Sequence, residues 1–148
     1  MSETFEQLRD LYQETVLTRS RTPQHAGRIA DADGEGRGDN PMCGDRVSVT
    51  VRRGAGGAIE AVAFDGRGCA ICLASADLMC EAVLGRQEPA IGTLDAGLRR
   101  MVRPDGHDED APEALRPLSG VREFPSRVRC VTLAWDALAS ALAPGEAR

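Results

Sequence analysis

Arg46-Val47-Ser48-Val49-Thr50-Val51-Arg52-Arg53-Gly54-Ala55-Gly56-Gly57 is the stretch that decides the architecture. Valine returns at every second position, so residues 47, 49 and 51 share one face of an extended strand while their neighbours point away. The Gly/Ala run that follows predicts a hairpin turn. A phosphate-binding loop would end in Lys-Ser/Thr and open a helix, and this run does neither. A second strand over about residues 58–66 follows from the same pattern and leads into Phe64-Asp65-Gly66-Arg67-Gly68-Cys69.

Around this hairpin the apolar period changes from two to the helical 3.6. Phe5, Leu8, Leu11, Tyr12, Thr15 and Val16 predict a first helix over about residues 4–19, with Thr4 and Gln7 at capping-box spacing. Residues 20–42 are rich in Arg, Asp, Gly and Pro, and read as a flexible loop. Helices are expected from Ala70 to Leu84 and over residues 90–102, the latter ended by Pro104. An acidic turn runs from Pro104 to Pro112, and Ala111 to Leu118 predicts a short helix closed by Gly120. Val128, Val131, Trp135, Leu138 and Leu142 mark a last helix, with Ser126 expected as its N-cap. The order αββααα describes an α+β fold, a small antiparallel β-sheet packed against several α-helices. Residues 1–148 read as a single domain.

Composition removes whole classes of function. No apolar run approaches the ~18 residues that span a bilayer, so no membrane partner is expected. The N-terminus carries no apolar signal core, and the expected address is cytoplasmic. A net charge of −5 argues against nucleic acid. The basic residues are all Arg, which excludes a Schiff-base lysine. Five cysteines in a reducing compartment point to metal binding or catalysis rather than disulfides.

Those cysteines have a pattern. In Asn40-Pro41-Met42-Cys43-Gly44-Asp45, Cys43 and Asp45 are two apart and project to one side of an extended backbone. Cys69 precedes one predicted helix, and Cys130 lies in the first turn of another. Helix N-termini favour an anion and lower a thiol pKa. The returning hairpin brings Cys69 towards Cys43 and Asp45, and packing of the last helix adds Cys130. A Cys₃Asp site suits zinc, or iron in a cluster.

These motifs also carry a resemblance. Asn40-Pro41-Met42-Cys43-Gly44-Asp45, Gly66-Arg67-Gly68-Cys69-Ala70-Ile71, Ala74-Ser75 and Phe124-Pro125-Ser126-Arg127-Val128-Arg129-Cys130-Val131-Thr132-Leu133-Ala134-Trp135 resemble the U-type iron–sulfur cluster assembly family, in its SufU branch. The family's metal positions fall on Cys43, Asp45, Cys69 and Cys130. Arg129 stands where IscU scaffolds have a ligand histidine, and a SufU-type insertion falls around residues 95–118. The resemblance implies Zn²⁺, with a [2Fe–2S] cluster on the same ligands as the alternative. It also implies a SufS-like cysteine desulfurase as sulfur donor and a downstream scaffold or apo-protein as acceptor. Whether the chain turns over as a persulfide sulfurtransferase or serves as a non-enzymatic scaffold is left open. The family's Asp-His-aromatic run is replaced by Thr18-Arg19-Ser20-Arg21-Thr22-Pro23-Gln24-His25, and Cys72 stands where Ser is common.

Each remaining residue has a plainer reading. Cys69 and Cys72 have redox-pair spacing, but no parallel-strand pattern surrounds them, so Cys72 is expected to be a core or near-site residue. Cys80 and Trp135 are expected in the core, and His25 and His107 in solvated loops. Arg127 reads either as a surface ion-pair partner or as a guide for incoming sulfur, one turn before Cys130.

Overall fold

The structure, a computed structural model, describes residues 2–42 and 44–143, with side chains from Tyr12 onward. Helix α1 spans Ser2–Arg21, followed by strands β1 (Gly34–Asn40), β2 (Asp45–Arg53) and β3 (Ile59–Arg67), then helices α2 (Ala70–Val83), α3 (Glu88–Met101) and α4 (Val128–Leu142). The strands form one antiparallel sheet in the order β1-β2-β3. The expected α+β architecture is observed, with an additional strand at its edge.

That strand overturns part of the expected 20–42 loop. Its sequence, Gly34-Glu-Gly-Arg-Gly-Asp-Asn40, looks like a loop by composition. Its glycines, however, fall at alternate positions and are the buried ones. A Cβ on Gly34 would sit 2.2 Å from the Ala141 carbonyl oxygen, and one on Gly36 would sit 2.2 Å from that of Ala137. One on Gly38 would come within 2.8 Å of the Leu133 carbonyl oxygen. The three helix residues are four apart and form one stripe of α4. Glycine is present because the helix backbone lies directly against the strand.

Pairing aligns Gly34, Gly36 and Gly38 with Val51, Val49 and Val47. The valines are fully buried on the face that α4 covers. The chain before β1 crosses the opposite face as a strap. It starts beside β3, where Gly27 N–H donates to the Phe64 carbonyl at 2.7 Å and Phe64 N–H donates to that of His25 at 3.0 Å. Midway, Ile29 N–H donates to the Thr50 hydroxyl at 3.0 Å, and Thr50 is buried beneath it. Asp33 N–H then reaches the Val51 carbonyl at 2.9 Å.

The β2–β3 turn forms as expected, with Gly56 and Gly57 at φ of 81° and 86°. The acidic turn contains a short 3₁₀ helix, Asp108–Asp110, in which His107 N–H donates to Asp110 Oδ2 at 2.9 Å. The helix expected over 111–118 is instead a 3₁₀ segment, Glu113–Glu123, that continues past Gly120. Pro117 lies inside it, and a residue without an N–H, whose ring clashes with the preceding turn, disfavours α-geometry there. Ser126 is not the N-cap of α4. It belongs to a 3₁₀ turn, Pro125–Arg127, and Arg127 takes the cap position without a side-chain cap bond. Helix α2 packs on α1, α4 and β3, and its Cys80 and the Trp135 of α4 are buried core residues. Among the described residues, no helix is long and apolar enough to cross a membrane.

Candidate metal centre

Three elements converge at one end of the sheet. Asp45 is the first residue of β2, directly after a turn closed by Gly44 N–H donating to the Asn40 carbonyl at 2.8 Å. Gly44 takes a left-handed φ of 77° there, a conformation that glycine adopts at little steric penalty. Cys69 ends the passage out of β3 and is the N-cap of α2, with extended φ/ψ. Cys130 is the third residue of α4.

A carboxylate oxygen of Asp45 and the sulfurs of Cys69 and Cys130 all lie within 4.8 Å of one another. Asp45 and Cys130 are each only 5% exposed, whereas Cys69 is partly open to solvent. Cys43 lies outside the described residues.

The Asp45 carboxylate is the informative group. Among the described residues its buried Oδ2 accepts no hydrogen bond and no cation pairs with it. A buried ionised carboxylate is expensive unless it is paired or coordinates a metal. Here one of its oxygens lies within 4.8 Å of two sulfurs. One hard oxygen and two soft sulfurs are a zinc-type donor set, and a tetrahedral site takes four. The residues present fit such an ion.

Supporting contacts hold these donors in place. The Ser75 hydroxyl donates to the Val131 carbonyl at 2.7 Å, joining α2 to α4 beside Cys130. At the far side of α2, buried Asp77 accepts from Arg19 at 2.7 Å and from the His25 N–H at 2.8 Å. Arg19 also donates to Glu81 at 2.6 Å, so α1, the strap and α2 meet at one carboxylate. Sequence reading missed this cluster. His25 is part-buried within it rather than solvated.

Arg127 is exposed, and among the described residues its side chain forms no hydrogen bond or ion pair. Its backbone N–H donates to the Phe124 carbonyl at 2.7 Å. Arg129 donates to the Asp39 carbonyl at 3.3 Å and lies 3.9 Å from Asp136. His107 is exposed in its turn. Cys80 takes no part: burial, reinforced by the Asp77 charge, pushes its thiol far above the ordinary range.

Cys72 is nearer to the centre than its spacing alone required. It is fully buried, and a Cβ placed on Gly68 would lie 3.0 Å from both its sulfur and the Asp45 carboxylate.

The sequence model of the NifU-like N terminal domain matches residues 11–97, more than half of the chain. The chain belongs to this family. The NifU-like chain is 37% identical over 139 residues to the iron-sulfur cluster assembly scaffold protein IscU of Streptococcus pyogenes serotype M1, covering 91% of this chain and 84% of that protein. It is 30% identical over 137 residues to the zinc-dependent sulfurtransferase SufU of Bacillus subtilis strain 168, covering 92% of each. The crystal structure of an iron-sulfur cluster assembly scaffold protein for the SUF system from Fervidobacterium islandicum AW-1 superposes with a TM-score of 0.80 at 28% identity. That match covers 88% of this chain and 95% of the other. The NifU-like chain is therefore an iron–sulfur cluster assembly protein of the IscU/SufU type.

Proposed function

We propose that the chain is a zinc-dependent sulfur acceptor that takes persulfide sulfur from a SufS-like cysteine desulfurase on Cys43. From there it passes the sulfur to a downstream scaffold or apo-protein. The reading rests chiefly on the Asp45 carboxylate, which has one buried oxygen without a hydrogen bond among the described residues and places an oxygen within 4.8 Å of the Cys69 and Cys130 sulfurs. Cys43, Asp45, Cys69 and Cys130 would hold the ion, which when bound keeps their thiols deprotonated at neutral pH. The thiolate is the nucleophile in sulfur exchange.

The chain's own residues divide the work. Cys69 and Cys130 are fixed at the starts of α2 and α4, whereas Cys43 follows the exposed Met42 in a Pro/Gly turn. Cys43 is the donor best able to leave. Its thiolate attacks the outer sulfur of the enzyme persulfide, the S–S bond breaks, and the enzyme thiolate departs as a Cys43 persulfide forms. Arg127, exposed and three residues before Cys130, is suited to pair with the incoming anionic sulfur.

A [2Fe–2S] scaffold on the same ligands is the second reading, favoured by the relatives named as scaffolds. Arg129 weighs against it, because its guanidinium is engaged with Asp39 and Asp136 and supplies no nitrogen donor. Elemental analysis of freshly purified protein, paired with desulfurase turnover with and without it, decides between them. Zinc near one per chain and faster turnover are expected. Iron with visible absorbance and unchanged turnover would establish the scaffold instead. Cys43→Ala should abolish sulfur acceptance, and a label still arriving on Cys72 or Cys130 would overturn the assignment of Cys43.

A further inference from the structure

The sulfur-acceptor reading makes no use of Cys72. Cys69 is the N-cap of α2 and Cys72 is three residues on, in its first turn. A helical turn rises about 5.4 Å, and disulfides join Cα atoms about 4.4–6.8 Å apart, so the spacing permits closure without moving the helix. Side chains of a first turn lean back towards the helix N-terminus. The contacts around Gly68 agree, since the Cys72 sulfur and the Asp45 carboxylate lie 3.0 Å from the same point. Of the two thiols only Cys69 is open to solvent; Cys72 is fully buried behind it.

We infer that Cys69 and Cys72 form an oxidisable dithiol, in which Cys72 resolves oxidation of Cys69 and withdraws Cys69 from the metal centre. The oxidant class is a hydroperoxide. The Cys69 sulfur attacks the distal peroxide oxygen, the O–O bond breaks, and Cys69 becomes a sulfenic acid while an alcohol, or water from hydrogen peroxide, leaves. The Cys72 thiol then attacks that sulfur, the S–O bond breaks, and water leaves as the Cys69–Cys72 disulfide forms. Two electrons pass from the thiol pair to the peroxide, and a dithiol reductant returns them. A sulfur held in a disulfide is no longer a thiolate ligand, so Asp45 and Cys130 lose a partner. The metal consequence rests on the zinc reading; the disulfide does not.

The test treats the purified full chain with hydrogen peroxide while a chromogenic chelator reports released zinc. Tryptic peptides are then mapped after alkylation. Cleavage at Arg67 and Arg86 yields one peptide holding Cys69, Cys72 and Cys80. The expected product has lost two hydrogens between Cys69 and Cys72, with Cys80 alkylated only after unfolding. Dithiothreitol should reverse it and allow zinc to return. Cys72→Ser should block the disulfide, leave Cys69 as over-oxidised acid, and make the zinc loss irreversible by dithiothreitol, because a sulfinic acid is not reduced by a thiol. Cys72→Ala, checked for folding by circular dichroism, should behave alike. A disulfide that excludes Cys72, or zinc that returns to both oxidised variants on reduction as fully as to the unaltered chain, would overturn the inference. If the chain neither carries nor takes up zinc, the metal reading fails, while the two-hydrogen loss in the same peptide still decides the dithiol.

Discussion

The hydroxyl of Ser75 donates to the main-chain carbonyl of Val131 at 2.7 Å, in full burial, and ties the helix that starts at Cys69 to the one that carries Cys130. Two donors on separate helices keep a fixed separation only if the helices do. Removing the hydroxyl leaves the carbonyl its helical partner, so the loss is that of one ordinary hydrogen bond. Ser75→Ala should lower unfolding stability by about 1 kcal/mol and weaken metal retention in a chelator competition. Unchanged metal retention would separate the helix contact from the site.

Asp45→Ala should act in opposite directions on two measurements. Without metal, removal of a buried carboxylate oxygen that accepts no hydrogen bond should stabilise the protein by about 1–3 kcal/mol in denaturant titration. With metal, affinity should fall by more than about tenfold, since even outer contacts of metal ligands carry that much. A loss of stability in the metal-free protein would show that the carboxylate has a structural partner.

At Gly36 the close approach of β1 to α4 leaves no room for a methyl group. The added carbon would lie 2.2 Å from the Ala137 carbonyl oxygen and 2.4 Å from the Ala141 nitrogen, both backbone atoms. Gly36→Ala should destabilise the fold by about 3 kcal/mol or more. Gly92→Ala, where an added carbon meets nothing within 4 Å inside α3, should be neutral or stabilising by up to about 1 kcal/mol. Equal effects of the two changes would be inconsistent with this packing.

Asp77 has no exposed side-chain surface and accepts from the Arg19 guanidinium and from the His25 N–H. Asp77→Ala leaves the part-buried Arg19 guanidinium with Glu81 alone and releases the strap. A loss of about 1.5–3 kcal/mol is expected, with faster hydrogen exchange at Gly27 and Ile29. Unaltered exchange at those amides would show that the strap is held independently of Asp77.

Burial and the nearby Asp77 charge raise the Cys80 thiol well above its ordinary 9.0. Below that ordinary value both folded and unfolded chains keep the proton, and the group does not change stability. Above it the unfolded chain sheds the proton while the folded chain retains it, so stability falls as pH rises past about 9. Native-state alkylation should spare Cys80 while modifying the partly open Cys69. Early labelling of Cys80 would refute its burial.

Sequence was most informative where one period ran through a whole element. The valines of β2 and the stripe from Val128 to Leu142 identified the sheet and the last helix because each buries one continuous face. The β1 strand was concealed because its buried face is glycine. Composition signals a loop there, and only the nearness of α4 reveals the reason. The irregular course from Asp108 to Arg127 was concealed by proline, which removes α-helical bonding without saying what replaces it.

At the candidate centre, residue chemistry carried most of the reading. Asp45, Cys69 and Cys130 come together as spacing and hairpin geometry suggested. Arg19 and Asp77, 58 positions apart, offered no pattern to read. An isolated arginine and an isolated aspartate are common on any surface, and only the burial of Asp77 distinguishes this pair.

The bare face of β1 also sets an order of events during synthesis. With no side chains of their own to bury at three positions, residues 34–38 gain a packed partner only once the ribosome has released the stretch from 128 to 142. That late stretch also delivers Cys130. A nascent chain therefore lacks both its finished sheet edge and its third described candidate donor until the same moment.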